Sequence, residues 1–114
     1  MGVVRGDIII ADLNPAHKSE PGKIRPCVVI QTNFLNDIGH TSTIICPITS
    51  NVMEQAKFTR VHLKADESGL NKDCDILVDQ IRAIHNSRIQ KKVGTVSKEK
   101  IELLNRNIKI ILSI

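Results

Sequence analysis

Aromatic residues are almost missing from this sequence. Phe34 and Phe58 are the only two, and there is no Trp or Tyr. Its core must therefore be aliphatic, and base recognition by ring stacking, as in sheet-based RNA readers, is all but excluded. No apolar run approaches the roughly 20 residues of a membrane helix, so no membrane partner is expected. Cysteine is scarce as well. Cys27, Cys46 and Cys74 show no CxxC spacing and no paired histidines, which gives zinc no support. Their odd number argues against a complete disulfide framework, and each lies in or beside an apolar run, as a small hydrophobe would. HExxH, GxSxG and GxGxxG are absent, and Gly22-Lys23 lacks the flanking residues of a phosphate-binding loop. The acids are scattered, so neither a metal nor another cofactor is implied. The opening MGVVRGD has no apolar signal segment, and Gly6 stands where a myristoylation pattern needs Ser or Thr. A reducing cytoplasm is the expected location.

What is present is β-branched. The 114 residues include 18 Ile and 9 Val, which favour strands, and the length suits one domain over 1–114. Charge is uneven. Residues 1–81 carry a net −2 and residues 82–114 a net +6, so an anionic partner such as nucleic acid and a merely solvated basic face both remain open.

Asp7–Leu13 (DIIIADL) reads as a strand stopped by Asn14-Pro15. Residues 14–26 form a long polar loop of the kind that is often functional. Further strands are expected at Cys27–Gln31, Ser42–Ile48 and Phe58–Lys64, with Phe58, Val61 and Leu63 apolar. Pro47 suggests an edge or a bulge. Thr32–His40 reads as irregular or one helical turn. Cys74–Ile84 reads as one long strand or a bent pair, and Lys91–Val96 as a short strand interrupted at Gly94. Ser97–Leu112 is the best helix, capped by Ser97, with Ile101, Leu104, Ile108 and Ile111 on its inner face. Five to seven strands and a terminal helix suit a mainly β, α+β barrel with the helix packed on it.

Four histidines, His17, His40, His62 and His85, could serve as acid or base, and His17 stands out because it lies in the first loop. In that loop Arg25 precedes Pro26, which extends the backbone at the strand entrance. A guanidinium there can grip a phosphate through two hydrogen bonds, with Glu20 orienting it. An ordinary surface salt bridge fits the same residues. Thr49, where the third strand opens into a loop, can donate to a phosphoryl oxygen or cap a turn.

Taken together, Arg5-Gly6-Asp7-Ile8, Asp12-Leu13-Asn14-Pro15, Ser19 to Pro26 (SEPGKIRP), Val28-Val29-Ile30-Gln31, Pro47-Ile48-Thr49-Ser50, Asp79-Gln80-Ile81-Arg82, Ser87-Arg88-Ile89 and Val93-Gly94 resemble the MazF/PemK family of toxin endoribonucleases. The order and gaps match from about residue 4 to the terminal helix. The resemblance implies a small SH3-like β-barrel, a homodimer, and metal-free cleavage of single-stranded RNA at short sequence motifs. It also implies an antitoxin whose acidic C-terminal segment covers the RNA groove. It places catalysis on Arg25 and Thr49, with Glu20 and Asp79 in support. His17, Lys23, Ser50, Asn51, Lys57, Gln80 and Arg82 become candidate RNA contacts, with Gln55 a further possible reader. Leu77 stands where some relatives carry a catalytic arginine that pairs with the acid matching Asp79. Pro21 and Lys23 replace the usual small residues of the loop. A related group with the same barrel poisons DNA gyrase through its terminal helix and a final Trp, which this sequence lacks. That activity, and an inactive binder of RNA or antitoxin, are the alternatives.

Overall fold

A computed structural model describes residues 2–15 and 23–114. Among these, seven antiparallel strands form one sheet: β1 (Asp7–Asp12), β2 (Ile24–Val29), β3 (Ser42–Thr49), β4 (Arg60–Leu63), β5 (Cys74–Leu77), β6 (Arg82–His85) and β7 (Ile89–Thr95). Their order is β4-β5-β3-β2-β1-β7, and β6 pairs with β3. Two α-helices complete the described fold: α1 (Asn33–Asp37) in the β2–β3 connection and α2 (Lys98–Leu112) at the end.

The Ile-rich run of β1 is apolar on both faces because both faces are covered. Ile8 joins a cluster with Val28, Cys46, Ile48, Ile76 and Leu104 under α2. Ile9 and Ala11 join a second cluster with Cys27, Val29, Ile45 and Ile84. Successive residues of a strand point to opposite sides, so one strand serves two cores. Both clusters are aliphatic, as the composition requires. Helix α2 lies where its pattern placed it: Ser97 Oγ caps the Lys100 amide at 3.2 Å, and Ile101, Leu104, Ile108 and Ile111 face the first cluster.

Several expectations change in detail. β2 begins at Ile24, so Arg25 and Pro26 belong to the strand rather than the loop. Phe58 precedes β4 and is half exposed, with the Arg106 guanidinium 5.8 Å above its ring. The long segment after Cys74 is a bent pair, split by a 3₁₀ turn at Val78–Gln80. β7 starts at Ile89 and runs through Gly94 to Thr95 with two register shifts against β1. Pro47 lies in the central strand, not at an edge. It stands where β3 changes partner from β6, paired through Ile45, to β5, paired from Ile48. A residue without an N–H suits that gap between ladders.

The sheet curls until the turn after β4 rests on β7. Gly69, at φ +84°, would place a Cβ 2.7 Å from the Val93 carbonyl oxygen, and a Cβ on Gly94 would run into the Ser68 carbonyl. Only glycines permit that backbone approach. It fixes the position of residues 70–72, which form one wall of the site.

Candidate active site

Three strand ends converge at one side of the sheet: the start of β2, the end of β3 and the start of β5. Between them lies a cavity of about 390 Å³ lined by Lys23, Ile24, Arg25, Pro26, Ile48, Thr49, Ser50, Leu70, Asn71, Lys72 and Cys74. Arg25 and Thr49, separated by 24 positions in sequence, thus share one cavity. The β2 side is braced from below. Arg88 donates from Nη1 to the Asp12 and Asn14 carbonyls at 3.0 and 2.7 Å. The Lys23 amide donates to Asn14 Oδ1 at 2.8 Å, and the Leu13 amide to the Lys23 carbonyl at 2.8 Å. These bonds tie the ends of the first loop together and fix the strand entrance that carries Arg25. On β3, Thr49 Oγ1 accepts the Asn51 amide at 3.1 Å, which leaves the hydroxyl proton available to another acceptor.

Lys23 and Ser50 join Arg25 and Thr49 in the cavity, whereas Asn51, Lys57, Asp79, Gln80 and Arg82 are not among its lining residues. Asp79 is exposed in the 3₁₀ turn, and Arg82 lies opposite Ile45 across β3. His17 and Glu20 fall outside the described residues. Cys74 lines the cavity, but burial and the neighbouring acids push its thiol up to about 11. Burial raises Cys27 and Cys46 to about 12, so none of the three is a thiolate nucleophile at neutral pH.

Residues 4–112 match the family described as PemK-like, MazF-like toxin of type II toxin–antitoxin system. The chain belongs to this family. The endoribonuclease MazF of Staphylococcus saprophyticus is 36% identical over 110 residues, covering 96% of this chain and 91% of the relative. The endoribonuclease EndoA of Bacillus subtilis is 34% identical over 114 residues, covering 100% and 97%. Among solved structures, MazF from Deinococcus radiodurans superposes with a TM-score of 0.83 at 18% identity over 100% of this chain and 99% of that one. A MazE–MazF complex from the same organism matches at 0.77 and 20% identity, over 100% and 98%. At such identities these two matches speak for the fold alone.

With the MazF/PemK frame in place, two features stand out that the sequence did not disclose. The first is the wall formed by Leu70, Asn71 and Lys72, which in the sequence is only a polar turn. The second is the surroundings of Asp75, a fully buried carboxylate beside the site. Oδ2 accepts the Met53 amide at 2.9 Å and Arg60 Nη1 at 3.0 Å, and Oδ1 lies 2.6 Å from His62 Nδ1. His62 Nε2 faces the Ala56 carbonyl at 3.1 Å. Burial by itself would raise the Asp75 carboxyl, but the Met53, His62 and Arg60 hydrogen bonds outweigh it and hold the group below its ordinary value. The alternation of β5 marks Asp75 only as a polar residue in an apolar strand. Its partners lie 13 to 22 positions upstream, beyond any local spacing rule.

Proposed function

We propose that this chain cuts single-stranded RNA at short sequence motifs without a metal ion, using the substrate's own 2′-OH as nucleophile. The observation that carries this reading is the meeting of Arg25 and Thr49 in one cavity. The 2′-oxygen attacks the adjacent phosphorus, the bond to the 5′-oxygen breaks, and the products are a 2′,3′-cyclic phosphate and a 5′-OH. One proton leaves the 2′-OH and one reaches the departing oxygen. Arg25 neutralises charge that builds on the nonbridging oxygens, and the Thr49 hydroxyl donates to one of them. Removal of one such donor typically costs about 10²–10³ in rate. Lys23 and Lys72 hold flanking phosphates by charge. Ser50 and Asn71 offer donors and acceptors to base edges, which suits a protein short of stacking rings. Asn51, Lys57, Gln80 and Arg82 serve RNA farther along the surface with His17 from the first loop, and Glu20 and Asp79 keep the supporting role that the resemblance implies.

The curated relatives are named endoribonucleases, which favours RNA cleavage over gyrase binding. The proposal includes a homodimer, as the sequence resemblance implies, working in the reducing cytoplasm that the cysteine usage suggests. The chain is silenced by a cognate antitoxin whose acidic C-terminal segment covers the cavity and its basic rim.

The test is cleavage of a long, unstructured RNA in excess EDTA, with ends mapped. Wild-type protein should give discrete cuts with 5′-OH ends. Arg25→Ala and Thr49→Ala should each lose about 10²-fold or more in rate while melting like the parent. Full activity in either variant would remove that residue from the mechanism.

A further inference from the structure

A series of hydrogen bonds leads from the Thr49 hydroxyl to a charge that takes no part in the phosphate chemistry. The Asn51 amide donates to Thr49 Oγ1 at 3.1 Å, and the Asn51 carbonyl accepts Arg60 Nη1 at 2.7 Å. The same guanidinium nitrogen lies 3.0 Å from Asp75 Oδ2. Asp75 stands opposite Thr49 in the β3–β5 register, so the series returns to the residue from which it began. The outcome is a closed ring of contacts through two strands and the loop between Thr49 and β4. The Asp75 side chain is wholly buried and that of Arg60 is 14% exposed, so water competes little for either. The far end of the loop is held separately. Asn107, buried on α2, donates from Nδ2 to the Lys57 and Arg60 carbonyls at 3.4 and 3.2 Å.

We infer that Arg60 and Asp75 are positioning residues for Thr49: the buried pair anchors Asn51, and Asn51 sets the direction in which the Thr49 hydroxyl donates. This rests on the reading of Thr49 as a donor to the reacting phosphate. Arg60 Nη1 touches the Asp75 carboxylate and the Asn51 carbonyl at once. Because Arg60 bridges both, its loss should turn the hydroxyl while leaving the cavity walls and their charges in place. A group displaced by about 1 Å can lose on the order of 10²-fold in rate.

The experiment is a double-mutant cycle on RNA cleavage. Arg60→Met keeps the length of the side chain, removes its charge, and leaves Asp75 its Met53 and His62 contacts. Arg60→Lys serves if the Met variant fails to fold. With Thr49 present, kcat should fall on the order of 10-fold with KM nearly unchanged. In the Thr49→Ala background the same change should cost nothing further, because the group it positions is gone. Equal losses in both backgrounds would show a structural role and overturn the inference. So would a change confined to KM, or no change at all. Amide hydrogen exchange separates this from a failure of the functional reading. If wild-type protein cuts no RNA, the reading of Thr49 fails. The anchoring itself is then supported by faster exchange at Asn51, with Met53 as the internal reference, in Arg60→Met, and overturned by unchanged exchange at Asn51.

Discussion

Asp75 shows how one side chain can commit a segment to a shape. Its carboxylate is buried, yet it keeps its charge because one amide and two basic side chains converge on it. Its folded value lies below the ordinary 3.8, so the unfolded chain binds a proton at higher pH than the folded one. The stability linked to this group is complete above that ordinary value and is lost as pH falls through the depressed folded value. Asp75→Asn should therefore cost roughly 3 kcal/mol at neutral pH. The gap between wild-type and variant melting curves should narrow as the pH drops below about 4. Thermal melts from pH 7 to pH 2 decide this, and a gap independent of pH would mean that the charge is not what holds the loop. Arg25 and Thr49 offer a contrast at the same scale. Neither is marked by local spacing, and an arginine before a proline or a threonine at a strand end has many ordinary uses. They were legible only through the ordered set of motifs around them. The Asp75 contacts were not legible at all, because they depend on which strands become neighbours.

At the scale of elements, the signals that succeeded were periodic or compositional. DIIIAD, all but the last residue of the expected strand, is covered on both faces, and Ser97–Leu112 carries its cap and its apolar face in plain view. Signals that rest on contact between distant elements failed. Pro47 suggested an edge or a bulge; it is not at an edge but fills a gap between two ladders of the central strand. Gly94 suggested an interruption: β7 continues through it, but the register against β1 shifts beside it, and it admits the backbone of Ser68 and Gly69. That contact is what sets the 64–73 turn against the cavity. A methyl group at residue 94 must push this turn away, because its neighbour is main chain and cannot rotate aside. Gly94→Ala should thus destabilise by about 2–3 kcal/mol in denaturant titrations. It should also weaken RNA cleavage, since Asn71 and Lys72 would move with the turn. Wild-type stability and rate in this variant would mean that the two segments are not held together.

Across the whole molecule, charge and apolar surface are both distributed unevenly. Most of the positive excess lies in the last third of the chain, whereas the cavity draws its cations from Lys23, Arg25 and Lys72 in the first two thirds. Phe34, Ile38 and Ile114 are all well exposed. Such side chains are ordinary singly, and the homodimer of the proposal is tested directly by mass. Light scattering at micromolar concentration should give twice the 12.7 kDa chain mass. A monomer across that range would remove the homodimer from the proposal.

The pairing of β1 with β7 has a consequence for synthesis. β1 is made first, but one of its two edges stays open until residues 89–95 exist to fill it. Pairing between segments so far apart in sequence is slow, because the intervening chain must first be gathered in. The sheet that carries Arg25 and Thr49 is therefore incomplete until β7 joins β1, although β2 and β3, which bear the two residues, pair directly with each other.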